Sequence, residues 1–149
     1  MDERRRTLIK LKFKRLTETA VLPRYAHAVD SGMDICADED VQILPHSFAK
    51  IRTGIAAVIP DGYEIQVRPR SGMQCIKGIV GAWGTVDTQY RGEIGVALYN
   101  HTDSCYIVNH GDRIAQLVLA PVVRADIEET DDLGEQTERG TDGFGSTGV

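Results

Sequence analysis

VQILPHSFAKIRTGIAAVIPDGYEIQV, residues Val41 to Val67, decides the fold. Four short apolar runs, Val41–Leu44, Phe48–Ile51, Ile55–Ile59 and Tyr63–Val67, lie within it, and Leu44-Pro45-His46 and Pro60-Asp61-Gly62 supply turn signals between them. Runs this short, bounded by proline and glycine, read as strands rather than helices. The same texture continues outward. Ile9, Leu11 and Phe13 alternate with Lys10, Lys12 and Lys14, a half-buried strand with a lysine face. Further runs follow at Ile94–Tyr99, Tyr106–Val108, Ile114–Ala120 and Val122–Ile127, with turns at Tyr90-Arg91-Gly92 and His110-Gly111-Asp112. Only Ser71–Lys77 predicts a helical turn or two. The expectation is an all-β protein, a jelly-roll-like barrel or sandwich. Residues 1–127 would form the core, and 128–149 an acidic linker (Glu128–Glu138) leading to a flexible, glycine-rich C-terminal arm.

Composition narrows the function classes. The chain has 149 residues, 42% of them hydrophobic and 26% charged, as expected for one soluble domain. Its net charge of −5 argues against a nucleic-acid polymer as partner, although a few placed arginines would still accept a small anion. Three cysteines, Cys36, Cys75 and Cys105, lie far apart with no zinc-type spacing, which predicts buried free thiols. The N-terminal MDERRRTLIKLKFKRL has no apolar run long enough for a signal peptide or a membrane span, so a cytoplasmic location is expected.

Five stretches carry residues suited to chemistry. The last is Arg139 to Val149, RGTDGFGSTGV, with glycines that let backbone approach a ligand, the donors of Arg139, Ser146 and Thr147, and the flat ring of Phe144. By itself it would pass for a disordered tail. In SGMDICA, Ser31 to Ala37, Asp34 sits between Met33 and Ile35, either half-buried with a hydrogen-bond partner or facing out from a strand. In RPRSGM, Arg68 to Met73, Arg70 precedes Ser71 and Gly72 at an expected helix start; the choice lies between an anion site and an ordinary N-cap beside a surface arginine. GTVDTQYRG, Gly84 to Gly92, offers Asp87 as a proton acceptor from water and Tyr90 as a packing ring, or else a hairpin that Asp87 caps. In GDRIAQLVLAP, Gly111 to Pro121, Gln116 is a polar residue in a buried strand and needs partners in the core or in a ligand. Gly143 to Gly148 formally fits GxGxxG, but the chain ends one residue later, so no dinucleotide-binding helix follows.

Taken together, in this order and spacing, the five stretches closely resemble the five motifs of the trimeric dUTP diphosphatases (dUTPases), over roughly Gly32 to Gly148. The resemblance implies a homotrimer of jelly-roll subunits with active sites shared between them. It implies hydrolysis of dUTP to dUMP and pyrophosphate, which limits uracil incorporation into DNA and supplies dUMP for thymidylate synthesis, with Mg²⁺ carried on the triphosphate. By the same resemblance Asp87 deprotonates the water that attacks the α-phosphorus, and Tyr90 packs on the deoxyribose and excludes a 2′-hydroxyl. Gly84, Thr85 and Val86 would read the uracil edge through the backbone. Arg70, Ser71, Gly72 and Gln116 would hold phosphates. Asp34 would reach the metal's water shell or support the site. Phe144 and Gly145 would cover the base while Arg139, Ser146 and Thr147 clamp the γ-phosphate.

Three positions depart from the family pattern. Asp142 puts charge into the arm where glycine is usual, Trp83 is bulky for the uracil hairpin and should point outward, and Ser31 stands where alanine is usual. Two rivals remain in view. The related dCTP deaminases need a glutamate where this chain has Ala97, and a regulatory protein-binding role would use the charged MDERRR and Asp126–Glu138 segments.

Overall fold

The computed structural model describes residues 8–134, 137, 138, 140 and 141. Along them run β1 (Lys12–Arg15), β2 (Met33–Cys36), β3 (Val41–Ile43), β4 (Phe48–Ile51), β5 (Ile55–Val58), β6 (Tyr63–Arg68), α1 (Ser71–Lys77), β7 (Ile79–Gly81), β8 (Gly84–Val86), β9 (Val96–Asn100), β10 (Tyr106–Val108) and β11 (Arg113–Pro121). The strands form four sheets, ordered β2-β11-β6-β8, β4-β9-β7, β1-β5 and β10-β3. Every ladder is antiparallel. This is the all-β, jelly-roll-like architecture expected, with one short helix.

Alternation in the strands builds the core. Ile65 and Val67 of β6, Leu117 of β11 and Ile35 of β2 join Ile51 of β4, Val96 and Leu98 of β9 and Ile79 of β7 in one buried cluster. Fully burying each such side chain contributes about 1.5–3 kcal/mol. Lys12 and Lys14 face solvent while Phe13 packs against the core, so β1 has the lysine face that its sequence predicts. It is shorter than the Ile9-to-Phe13 alternation suggests, because its partner runs out. Lys12 pairs with Val58, and one residue beyond Ile59 stands Pro60, which has no N–H to offer a ladder.

Two further expectations need correction. Val122–Ile127 is not a strand. Val122 donates to the Gly62 carbonyl at 2.9 Å, after which Val123 and Ile127 are 95% and 93% exposed. The cysteines are free, but only Cys36 is even half-buried; Cys75 and Cys105 are exposed. No helix among the described residues is long and apolar enough to cross a membrane.

Candidate active site

The candidate residues fall into two groups at different ends of the β2-β11-β6-β8 sheet. The first lies where β6 runs into α1. Arg70 occupies the N-cap position with extended backbone, and its side chain makes no cap hydrogen bond, so it is free to turn toward β2 and β11. Its Nε lies 3.1 Å from Oδ1 of Asp34, and its Nη1 donates to the Arg113 carbonyl at 3.2 Å. Arg113 in turn donates from Nη1 to Oδ2 of Asp34 at 3.2 Å. Asp34 is 7% exposed, and both of its oxygens face guanidinium groups. It is at once a strand residue and a buried one, with its charge compensated from two directions.

The Arg70–Oδ1 contact is an ion pair without hydrogen-bond alignment, and Oδ1 accepts no hydrogen bond from any described residue. Of the two roles expected for Asp34, support of the site fits this geometry better than contact with a metal's water shell. Tethering also leaves donors to spare. A guanidinium has five N–H groups, and one Nη1–H and both Nη2–H of Arg70 have no partner among the described residues.

Arg70, Ser71, Gly72, Arg113 and Gln116 line a cleft of about 440 Å³. Backbone pairing aligns Gln116 with Asp34 on one side and Arg68 on the other. Gln116 is half-buried and lines this cleft, with its amide carbon and oxygen 3.4 Å from where a Cβ on Gly32 would stand. Arg113, in the GDRIAQ stretch, escaped the sequence reading; its place three residues before Gln116 was the available signal. Beside this group burial pushes the Cys36 thiol up, and the Asp34 carboxylate adds to that, against the opposing pull of Arg24, Arg113 and Arg70.

The second group surrounds β8. That strand is the sheet's edge, so its outer backbone groups have no strand partner among the described residues. Unpaired edge N–H and C=O groups are able to bond a flat polar ligand. Val86 turns its side chain into the core at 8% exposure, leaving only its backbone for such contact. Asp87 follows, exposed, and begins a turn in which Tyr90 N–H donates to its carbonyl at 3.0 Å. Gly84, Thr85, Val86, Asp87 and Tyr90 line a pocket of about 230 Å³, joined by Lys50 and Glu93, which the sequence reading did not single out. Trp83 is 69% exposed, as its bulk predicts, with the Arg68 guanidinium 5.4 Å from its ring centroid.

The two groups do not meet within one chain. Asp87 follows Val86, which pairs with Ile65, whereas Gln116 pairs with Arg68. Four residue steps of about 3.4 Å and two strand spacings of about 4.8 Å put Asp87 and Gln116 roughly 17 Å apart. Arg139, Asp142, Phe144, Gly145, Ser146 and Thr147 lie outside the described residues. No group of three or more His, Cys, Asp or Glu side chains that would hold a metal occurs among the described residues.

The model of the dUTPase family matches residues 18–148. The deoxyuridine 5′-triphosphate nucleotidohydrolase of Picosynechococcus sp. is 49% identical over 141 residues, which are 93% of this chain and 99% of that protein. The protein of the same name from Desulfotalea psychrophila is 52% identical over 139 residues, covering 91% and 92%. Among solved structures, the dUTPase of Staphylococcus bacteriophage 80alpha with dUPNHPP superposes with a TM-score of 0.89 at 30% identity, over 94% of this chain and 99% of that one. An aspartate-to-asparagine variant of the dUTPase from phage phi11 of S. aureus, which coordinates a structural Mg(II) ion, gives 0.79 at 27% identity, over 84% and 99%.

Proposed function

This chain belongs to the dUTPase family, and on that premise we propose how its residues divide the hydrolysis of dUTP to dUMP and pyrophosphate. Asp87 takes a proton from a water molecule that attacks the α-phosphorus. The bond from that phosphorus to the bridging oxygen of the β-phosphate breaks, and pyrophosphate leaves with that oxygen. The observation that carries the assignment is the pocket where the Asp87 carboxylate, the Tyr90 ring and the open edge of β8 converge. A general base must stand within reach of the reacting water, and an exposed carboxylate beside a base-sized slot meets that need.

The Gly84–Val86 edge holds the uracil by backbone hydrogen bonds, and Tyr90 lies along the sugar, where a 2′-hydroxyl would meet the ring. Arg70, Ser71, Gly72 and Gln116 hold phosphates, with Asp34 as the counterion that aims Arg70. Arg139, Phe144, Gly145, Ser146 and Thr147 close over the base and γ-phosphate, shutting out bulk water. Mg²⁺ belongs to the substrate here, bound by the triphosphate oxygens, where it offsets phosphate charge. Complete sites form between copies of the chain, in a homotrimer, as the family resemblance implies; the separation of the Asp87 pocket from the Arg70 cleft along the sheet supports this reading.

The test is pyrophosphate release from dUTP, dCTP, dTTP and UTP with Mg²⁺, for the wild type and Asp87→Asn. Release from dUTP alone, with a loss of at least about 100-fold in the variant, is expected for removal of a general base. No turnover of dUTP by the wild type would refute the assignment. Co-refolding Asp87→Asn with Arg70→Ala chains tests the sharing of sites: two inactive variants should restore activity when mixed.

A further inference from the structure

We propose that Glu93 is a positioning residue for Tyr90 and thereby sets the discrimination between deoxyribose and ribose. The inference rests on the reading of Tyr90 as the wall beside the sugar, and deepens it. Tyr90 is 46% exposed, so burial does not hold its ring. What holds it is its hydroxyl, which donates to the Glu93 backbone carbonyl at 3.0 Å. Glycine at 92 permits this reach, since a Cβ there would collide with the Tyr90 phenol.

The carbonyl is only as fixed as the segment that bears it, and residues 91–95 belong to no strand. Glu93 supplies the fixing. Its Oε1 accepts the backbone N–H groups of Thr53 at 3.1 Å and Gly54 at 2.7 Å, and Arg52 Nε stands 3.5 Å from Oε2. One carboxylate thus staples the loop to the turn between β4 and β5. Ile94 completes the anchor: its N–H donates to the Ile55 carbonyl at 2.8 Å, and its carbonyl accepts the Thr53 hydroxyl at 2.5 Å.

The chain of restraint runs from a strand turn through the Glu93 carboxylate to the backbone at 93, then to the phenol and the pocket wall. A carboxylate accepting two backbone donors makes strong charge-assisted bonds. Losing them lets carbonyl 93, and with it the ring, drift by the small distance that separates a hydrogen from a hydroxyl at the sugar.

The experiment compares kcat and KM for dUTP and UTP, with thermal melts, in the full-length wild type, Glu93→Ala, Glu93→Gln, Tyr90→Phe and the Glu93→Ala/Tyr90→Phe double variant. Glu93→Ala should raise KM for dUTP about tenfold and lower the dUTP-to-UTP ratio of kcat/KM about tenfold, with kcat changed less, the scale of a lost positioning hydrogen bond. Glu93→Gln keeps an amide oxygen for the Thr53 and Gly54 N–H groups and should recover most of the ratio. Tyr90→Phe should reproduce the loss, and the double variant should be no worse than the single ones, since both cut the same chain.

A folded Glu93→Ala with an unchanged substrate ratio overturns the proposal, as do penalties that simply add in the double variant. Should Glu93→Ala not fold, Glu93→Gln and Tyr90→Phe decide: an unchanged ratio in Tyr90→Phe overturns it. Failure of the parent reading is distinct, a wild type that releases no pyrophosphate from dUTP, and it removes this inference too.

Discussion

Replacing Asp34 by asparagine removes one charge from a nearly isosteric side chain and tests whether Arg70 is aimed by it. Asp34 is 7% exposed, while the Arg70 and Arg113 side chains are 26% and 53% exposed. Removing one partner of a fully buried pair costs about 3–5 kcal/mol, but these arginines keep part of their hydration once released. One aligned charge-assisted hydrogen bond, from Arg113, is lost at about 1.5–3 kcal/mol. The ion pair from Arg70 adds less because its alignment is poor. Asparagine retains an oxygen acceptor, yet turns an amide donor toward a guanidinium. The sum is about 2–3 kcal/mol, or a fall in Tm of about 5–10 °C for a chain of this size. Melts must be compared at one protein concentration, because the proposed assembly would make Tm depend on concentration. Arg70, freed of its counterion, should also lose aim at the phosphates, lowering kcat/KM for dUTP about 10–100-fold, the scale of a partly lost electrostatic contact. Circular-dichroism melts and initial rates of pyrophosphate release measure the two effects. A variant that melts within about a degree of wild type would refute the energetic argument. One that melts low but binds and turns over dUTP normally would refute the aiming of Arg70.

Two other perturbations probe the turns behind the site. Gly54 has φ +63°, and an added Cβ would lie 2.6 Å from Asp38 Oδ2 and 2.7 Å from the Ala20 Cβ. Gly54→Ala should therefore cost about 3 kcal/mol, combining left-handed strain with overpacking, and a thermal melt close to wild type would contradict this. Burial alone would raise the Asp38 pKa, but hydrogen bonds from Thr17 and Thr19 and the charge and hydrogen bond of His110 outweigh it and hold the carboxyl below its ordinary value. Its ionised form thus adds stability that is fully present above the unfolded value of about 3.9 and is lost as pH falls through the lower folded value. Denaturant titrations should show Asp38→Asn weaker than wild type at neutral pH, with the gap closing below about pH 4. A gap independent of pH would show that the carboxylate's charge is not what stabilises this junction.

The residues explain which parts of the fold were legible. β4 and β10 coincide with their apolar runs, and α1 occupies Ser71–Lys77 as its composition predicts, because each is decided by local pattern. In β2 Asp34 interrupts the apolar run, so the sequence leaves open whether it is buried or faces out; the charge that permits its burial comes from Arg70 and Arg113, far along the chain. β7 and β8 are three residues each and contain glycine, too short for any period to show. Val122–Ile127 has strand-like side chains, but a strand also needs a partner, and beyond Val122 no described backbone pairs with it.

The site follows the same division. Asp87 and Tyr90 share one turn, so their proximity was legible from a spacing of three residues. Arg70 and Gln116 share a cleft only because β6 and β11 pair, and Glu93 matters only because β4 and β5 meet at Thr53 and Gly54. Sequence motifs record which groups a reaction needs, since each motif carries its own donors and acids. They do not record separation. The roughly 17 Å between Asp87 and Gln116 is a property of strand register. On the proposed division of roles, a chain with its motifs divided in the monomer would complete its active site only on assembly. For such a chain, substitutions that weaken association should imitate active-site mutations in kcat/KM while leaving every named side chain in place.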